Sequence, residues 1–193
     1  LPLSIGMLQA YAQRHLTYSG DYEFMSPVYM FMPIEEASEY LSDADIVGFS
    51  AYMGNFENSL AIARDLKRRK PETIIVFGGP QVPDSRKQFR RVRTAELNPE
   101  EILRKRMHFT EDFHRINSCV DIAVHGEGER VFTMLLEQLA IDGCSDKTRI
   151  PSVSYLDADG VFHFNPKMER MKDNELAQAP SPFTNGIFDK HMD

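Results

Sequence analysis

Cysteine is scarce in this sequence of 193 residues, which contains only Cys119 and Cys144. A single pair builds no disulfide framework, and it cannot supply the four soft ligands that a structural zinc or iron-sulfur site usually takes. We therefore expect both residues to be small, partly buried thiols.

Long apolar runs and an excess of positive charge are also missing. No segment approaches the roughly 18 to 20 apolar residues that cross a bilayer, and no basic stretch followed by an apolar one opens the chain. Acidic residues outnumber basic ones, 29 to 22, which gives a net charge of -7 and disfavours a nucleic-acid or anionic-membrane partner for the molecule as a whole. We expect a cytoplasmic protein with no membrane and no nucleic-acid partner.

The standard nucleotide-binding and hydrolase motifs are absent as well. No G-x-x-x-x-G-K-[ST] occurs, and Gly126-x-Gly128 has Val131 where a dinucleotide fingerprint has its third glycine. Ser50, His125 and Glu127 offer the residue types of a catalytic triad, but no nucleophile-elbow sequence surrounds the serine. Neither class of enzyme is supported.

Three short segments are apolar throughout, as strands buried on both faces of a sheet are: 45–50, 73–77 and 120–124. Between the first two, apolar residues recur at helical spacing until Pro71, with Asn55 as the expected N-cap. Another helical stripe follows the third strand and ends near Gly143. The alternation predicts an α/β fold with a doubly wound, mostly parallel Rossmann-like sheet.

The remaining segments complete the predicted organisation. Upstream, the pattern indicates a first helix from Leu3, a strand over 22–31 and a short helix over 34–41. Because the chain enters that first helix almost at once, we expect the first strand of the domain to precede Leu1.

Two domains follow from this pattern: a Rossmann-like domain over 1–146 and a C-terminal extension over 147–193. The first is interrupted over 84–118 by a polar, basic insertion, either a solvated helical segment or a patch for a phosphate-bearing partner. The extension holds a β-hairpin around Asp157-Ala-Asp-Gly160 and an extended linker.

The segments that follow the three predicted strands are rich in glycine. Ligands of open parallel sheets bind beyond the carboxyl ends of the strands, where strand order reverses, and glycine lets the backbone approach them closely. The alternative is that these segments are only tight strand-to-helix turns. The candidate binding residues are Ser50, Ala51, Tyr52, Met53, Asn55, Gly78, Gly79, Pro80, Gln81, His125, Gly126, Glu127, Gly128 and Glu129.

Four motifs in order resemble those of the N-terminal cobalamin (B12)-binding domain of B12-dependent radical S-adenosylmethionine (SAM) enzymes. They are L-P-L-x-x-G-x-L from Leu1, D-I-V-G-F-S-x-Y-x-x-N from Asp45, G-G-P from Gly78 and G-E-G-E from Gly126. The resemblance covers most of the chain except 84–118. It implies that cobalamin is the cofactor of this chain.

The resemblance also implies roles for the candidate residues. Ser50 would hydrogen-bond the nucleotide tail of the cofactor, residues 51–55 would lie beneath or beside the corrin, and residues 78–81 and 125–129 would line the slot for the tail. On this interpretation a bulky residue at Gly79 would exclude the tail. In the longer parent enzyme, methyl transfer or a radical rearrangement would take place beside a 4Fe-4S cluster and S-adenosylmethionine in a radical SAM barrel of the same chain.

The departures from the family limit what this chain does alone. The C-x-x-x-C-x-x-C motif of the cluster does not occur, so we expect the chain to be non-catalytic by itself. Cobalamin domains that ligate cobalt with a protein imidazole carry the histidine in D-x-H-x-x-G, whereas Ala123 stands here where His125 would need its orienting aspartate. We therefore expect no protein metal ligand, with the lower cobalt face open, water-bound or shielded by Tyr52 or Met53.

Two other hypotheses remain at this point. One is a cofactor-free doubly wound domain with an interaction or regulatory role, such as a receiver. A receiver needs clustered carboxylates after its first strand, whereas Asp43 and Asp45 precede the strand here. The other is a domain that keeps the family's fold and has lost its cofactor.

Overall fold

The computed structural model describes residues 3–84 and 109–189, and these form two compact units. The sheet unit comprises the described residues of Ile34–His125 together with Val153–Phe164. The helical unit comprises those of Leu1–Pro33, Gly126–Ser152 and Asn165–Asp193.

The sheet unit is built on five strands that lie side by side in chain order. They are β1 (Ile46–Ser50), β2 (Ile74–Gly78), β3 (Ile122–Val124), β4 (Val153–Leu156) and β5 (Phe162–Phe164). The first three are parallel, and β4 is antiparallel to both of its neighbours, so four of the five strands point the same way. The predicted α/β class with a mostly parallel sheet is confirmed.

Strand order does not reverse anywhere in the described part of this sheet, which differs from the expected switch point. The ends of three adjacent parallel strands form the edge instead. The predicted hairpin is present as β4 and β5, and β4 pairs with β3, so the hairpin extends the sheet itself.

The helices of the sheet unit are α2 (Ile34–Leu41), α3 (Phe56–Arg69) and the helical residues 109–116, labelled α4. Helix α3 connects the parallel strands β1 and β2 and buries Leu60, Ala63 and Leu66, the spacing that predicted it. These side chains belong to the same core as the fully buried Phe77 of β2. The rest of the predicted insertion, 85–108, lies outside the described residues.

The helical unit contains α1 (Leu3–His15), α5 (Gly128–Asp142) and α6 (Asp173–Leu176), with short 3-10 turns at Ser19–Asp21 and Lys147–Arg149. A Cβ at Gly6 would lie 2.3 Å from the ring of Phe188, so this glycine lets the buried ring pack on the backbone of α1. Helix α5 ends, as predicted, at Gly143 in the left-handed conformation, with φ of 66°.

The strand expected over 22–31 is wrong, because these residues pair with no strand in the part of the chain that the structure describes. Apolar content alone does not create a strand without a partner, and Pro27 lacks the N–H that a ladder needs. The segment is held by a side chain instead, since the Tyr22 hydroxyl donates to the carbonyl of Leu136. No helix in the described ranges is long and apolar enough to cross a membrane.

Candidate functional site

The carboxyl ends of β1, β2 and β3 lie side by side in the sheet unit. Ser50 is paired with Gly78, and Phe77 with Ala123, so these strands end at the same level. The residues that follow them are 50–55, 78–81 and His125, which we call the carboxyl edge. Ten of the fourteen candidate residues lie on it.

Backbone hydrogen bonds join the two loops of the carboxyl edge. The N–H of Ala51 donates to the carbonyl of Gly78 over 2.7 Å, and the N–H of Gln81 donates to the carbonyl of Ala51 over 3.1 Å. Each loop thereby satisfies backbone groups of the other, which gives a fixed surface at the end of the sheet.

Gly79 permits this close approach of the loops. Its φ is +104°, a conformation that favours glycine, and a Cβ there would lie 2.8 Å from the carbonyl oxygen of Ala51. A side chain at this position would therefore collide with the protein's own backbone. We expected a bulky residue at Gly79 to act by filling the slot of the ligand. The structure corrects this, because such a residue would first displace the neighbouring loop at Ala51.

Asn55 shapes the first loop from within. Its Oδ1 accepts the N–H of Tyr52 over 2.8 Å, and its Nδ2 donates to the carbonyl of Ser50 over 2.9 Å. The residue occupies the predicted N-cap position of α3, but its side chain does not cap the helix. Its polar atoms serve the loop, which leaves Tyr52 49% exposed and Met53 87% exposed.

Neither loop of the carboxyl edge contains a charged side chain. The surface offers backbone groups, the Ser50 hydroxyl and the exposed apolar atoms of Tyr52 and Met53. Such a surface suits a large ligand with an extensive neutral face better than a compact, multiply charged anion.

His125, directly after β3, is almost fully buried. Its Nε2 lies 2.8 Å from Oγ of Ser154 on β4, and its ring stacks on Phe164 of β5 with centroids 4.8 Å apart. The same Ser154 oxygen lies 2.9 Å from Nε2 of His114 on α4. Burial lowers the pKa of His114 to about 4, so that ring is neutral at pH 7.

Sequence reasoning missed Ser154 and assigned His114 only to the polar insertion. The serine lies 29 residues from His125 and 40 from His114. The one available signal was a hydroxyl within the otherwise apolar pattern of a buried strand, which by itself points to no partner.

The other four candidate residues begin helix α5 in the helical unit. Gly126 has φ of +95°, and a Cβ at Gly128 would lie 3.0 Å from Cδ2 of Leu8 on α1. The Glu127 carboxylate accepts the N–H of Met171 over 2.7 Å. The turn therefore has local structural tasks within the helical unit.

No group of three or more histidine, cysteine and carboxylate side chains suited to a metal ion occurs within residues 3–84 and 109–189. Both cysteines are free and buried, as expected, and burial raises the pKa of each thiol. These thiols are poorly suited to act as thiolate ligands.

No protein-family model matches the chain. Over 189 residues, 98% of its length, it is 31% identical to the 2-(S-pantetheinyl)-carbapenam-3-carboxylate methyltransferase of Streptantibioticus cattleyicolor and 30% identical to the cobalamin-dependent radical SAM methyltransferase TokK of Streptomyces tokunonensis. The chain spans 24% of the length of each relative.

Among solved structures, the chain is similar to the cobalamin-dependent S-adenosylmethionine radical enzyme OxsB, determined with aqua-cobalamin and S-adenosylmethionine bound. The TM-score is 0.63, with 18% identity, and the match covers 98% of this chain and 23% of that one. This likeness supports the fold, and the resemblance carried by the four motifs is confirmed. Along nearly its whole length, the chain is homologous to one segment of each of these two methyltransferases, of which TokK is named as a cobalamin-dependent radical SAM enzyme.

Proposed function

We propose that this chain is a cobalamin-binding domain and that the carboxyl edge of its sheet unit receives the cofactor. The observation that carries the proposal is the edge itself. Its two charge-free loops are joined by the hydrogen bonds of Ala51 with Gly78 and Gln81, and they expose Tyr52 and Met53. A corrin is a broad macrocycle with a largely neutral face, and exposed apolar side chains complement it. The relative TokK is named as cobalamin-dependent, which supports the same assignment.

The residues of the edge take distinct parts in this proposal. Tyr52 and Met53 contact the corrin, Ser50 hydrogen-bonds the nucleotide tail, and residues 78–81 line the slot for that tail. The part of Gly126, Glu127, Gly128 and Glu129, which begin a helix of the helical unit, stays a prediction from the sequence. Cobalamin, when bound, supplies the cobalt chemistry, and the chain supplies binding and orientation.

The protein's histidines leave cobalt without an imidazole ligand in this proposal. The Nε2 of His125 is engaged by Ser154, and the ring is buried. The nucleotide base of the cofactor is proposed to be displaced into the slot beside Gly79, so that neither the base nor a histidine ligates cobalt. Nitrogen ligation splits the electron paramagnetic resonance lines of cobalt(II) into triplets, and the bound cobalt(II) form should therefore lack them. Triplets that disappear in His125→Ala would contradict this assignment.

The longer parent enzyme is proposed to be a methyltransferase, with a 4Fe-4S cluster and S-adenosylmethionine held by a radical SAM barrel of the same chain. The present chain is proposed to bind cofactor without catalysing the reaction. The domain limits of 1–146 and 147–193, a cytoplasmic location and the absence of a nucleic-acid partner stay predictions from the sequence.

Retention of hydroxocobalamin tests the proposed function. The chain is incubated with hydroxocobalamin and desalted, and its visible spectrum and binding isotherm are recorded; we expect one cobalamin per chain. Met53→Asp should weaken binding at least tenfold by placing a charge against the corrin.

Ile116→Asp is the matched control, because Ile116 is also a large exposed apolar residue of the sheet unit, at 76%. Binding should be unchanged in this variant. A chain that retains no chromophore would refute the proposal and favour a cofactor-free interaction domain.

A further inference from the structure

Three polar side chains from different parts of the sheet unit meet in its interior. His125 follows β3, Ser154 lies on β4 and His114 lies on α4, and each is at most 2% exposed. Two hydrogen bonds of 2.8 and 2.9 Å connect them through the serine oxygen. Buried polar groups are costly unless they are paired, so an apolar core would be the simpler solution at this position.

The hydrogen bonds that link these three side chains all donate in the same direction, from His125 through Ser154 to His114. The Nδ1 of His114 lies 3.4 Å from the carbonyl oxygen of Val120, which can only accept, so Nδ1 carries the proton. The neutral ring then accepts at Nε2, and the Ser154 hydroxyl donates to it. The serine oxygen in turn accepts from Nε2–H of His125, which leaves that ring as the Nε2–H tautomer.

The hairpin holds His125 on two sides. Ser154 of β4 bonds its ring nitrogen, and Phe164 of β5 stacks on its face. His125 is also the first residue after β3, where the backbone leaves the sheet at the carboxyl edge. The orientation of this part of the edge therefore depends on β4, which lies next to β3 in the sheet, and on β5, which pairs with β4.

We propose that Ser154 is a positioning residue of the cobalamin site, which holds His125 in one tautomer and one orientation at the carboxyl edge. The inference rests on the proposed function. On this inference the β4–β5 hairpin supports the binding site. The Nε2 of His125 is hydrogen-bonded to Ser154 and does not coordinate cobalt.

The tautomers are measured by long-range proton-nitrogen NMR of the full chain labelled with ¹⁵N-histidine, without cobalamin. We expect a protonated Nε2 on His125 and a protonated Nδ1 on His114, with assignments from His125→Gln and His114→Asn. The opposite tautomer on either ring would overturn the hydrogen-bond direction and the proposal with it. This measurement on the unsubstituted chain does not depend on the folding of any variant.

Binding is then compared among serine variants. Ser154→Ala keeps the volume of the side chain and removes the hydroxyl, and we expect the Kd for hydroxocobalamin to rise about tenfold and the His125 nitrogen shifts to average between tautomers. Ser154→Thr restores the hydroxyl and should recover both readouts. The matched control is Ser38→Ala, which removes another fully buried serine hydroxyl of the sheet unit, one bonded to the Ile62 carbonyl; it should change neither readout.

The outcomes separate the two proposals. If the unsubstituted chain binds cobalamin and Ser154→Ala binds equally well, the positioning role is wrong and the proposed function stands. If the unsubstituted chain binds none, the proposed function is wrong, and the role of Ser154 in that site is overturned whatever the tautomers show.

Discussion

The two edges of the parallel strands in the sheet unit differ in how they use charge. The amino edge is the opposite end of the same strands, where β1, β2 and β3 begin. There the Asp121 carboxylate accepts the N–H of Ile75 over 2.7 Å and pairs with Lys67 over 2.8 Å. Lys70 donates to the carbonyl of Ala44 over 3.2 Å. Charged side chains therefore make the hydrogen bonds of backbone N–H and C=O groups at the amino edge.

The carboxyl edge is held by backbone hydrogen bonds between its loops and by neutral polar side chains. Its two loops contain no charged side chain, their closure relies on Gly79, and Asn55 satisfies the first loop internally. The large side chains Tyr52 and Met53 are left exposed. Charged side chains therefore stabilise the fold at the amino edge, whereas the carboxyl edge leaves exposed the uncharged surface to which we assign the ligand.

Gly79→Ala should have the largest effect, because it breaks the carboxyl edge itself. The new Cβ would lie 2.8 Å from the Ala51 oxygen, on a backbone with positive φ. We expect a loss of about 3 kcal/mol in the free energy of unfolding, measured in urea, and loss of hydroxocobalamin retention.

Gly54→Ala is the control for this substitution within the same edge. No atom lies within 4 Å of its ideal Cβ, and its backbone is not left-handed. Stability and binding should stay close to those of the unsubstituted chain. Equal stability of the two variants would mean that the loops are not closed as described.

Asp121→Ala should separate the two edges by lowering stability alone. It removes the acceptor of the Ile75 N–H and the partner of Lys67, which costs about 2 kcal/mol in the free energy of unfolding. The Kd for hydroxocobalamin, measured where the variant is fully folded, should change less than twofold. A large rise in Kd would break the division between the edges. Asp45→Ala is the control, because that carboxylate is 94% exposed and its pair with Lys70 contributes little.

Lowering the pH probes the buried His114, which is linked through Ser154 to His125 of the carboxyl edge. Its pKa falls from 6.5 to about 4 on folding, so the unfolded chain binds more protons between these values. Above pH 6.5 the His114 ring is neutral in both states, and its burial carries no protonation penalty. As the pH falls from 6.5 towards 4, the unfolded chain gains a proton that the folded chain does not bind, and the free energy of unfolding decreases. From pH 7 to pH 5 we expect the free energy of unfolding to fall by about 2 kcal/mol more than in His114→Asn. Parallel pH dependences in urea titrations of the two proteins would contradict this.

Asn55→Ala should have the smallest effect, and it tests whether the first loop of the carboxyl edge needs the hydrogen bonds of this side chain. It removes two hydrogen bonds in an exposed loop, and water replaces part of them, so we expect about 1 kcal/mol of destabilisation and an approximately fivefold rise in Kd. Glu57→Ala, in the first turn of α3, is the control. Equal binding by Asn55→Ala would show that the loop needs no internal support.

Local patterns predicted most helices and strands of this protein. The short helix over 34–41 matches α2, and the three predicted buried strands correspond to β1, β2 and β3 with ends shifted by at most two residues. These elements are readable because burial on two faces, helical spacing and a terminal glycine such as Gly143 are properties of neighbouring residues. The order of the glycine segments likewise predicted which strand ends meet.

The structural role of individual site residues was decided by the tertiary structure. Gly79 was predicted to make room for a ligand, and the structure places it against Ala51 of the neighbouring loop. The strand over 22–31 failed because a strand requires a partner that its own sequence does not contain.

The α/β alternation, the charge-free loops after β1 and β2 and the family resemblance could be read from the sequence alone, because each is written in contiguous residues. Only the tertiary structure decided that the hairpin pairs with β3 and that Ser154 joins His114 to His125. The two contacts of Ser154 connect residues that are 29 and 40 positions apart in the sequence. No local periodicity encodes which distant side chains meet when the sheet forms.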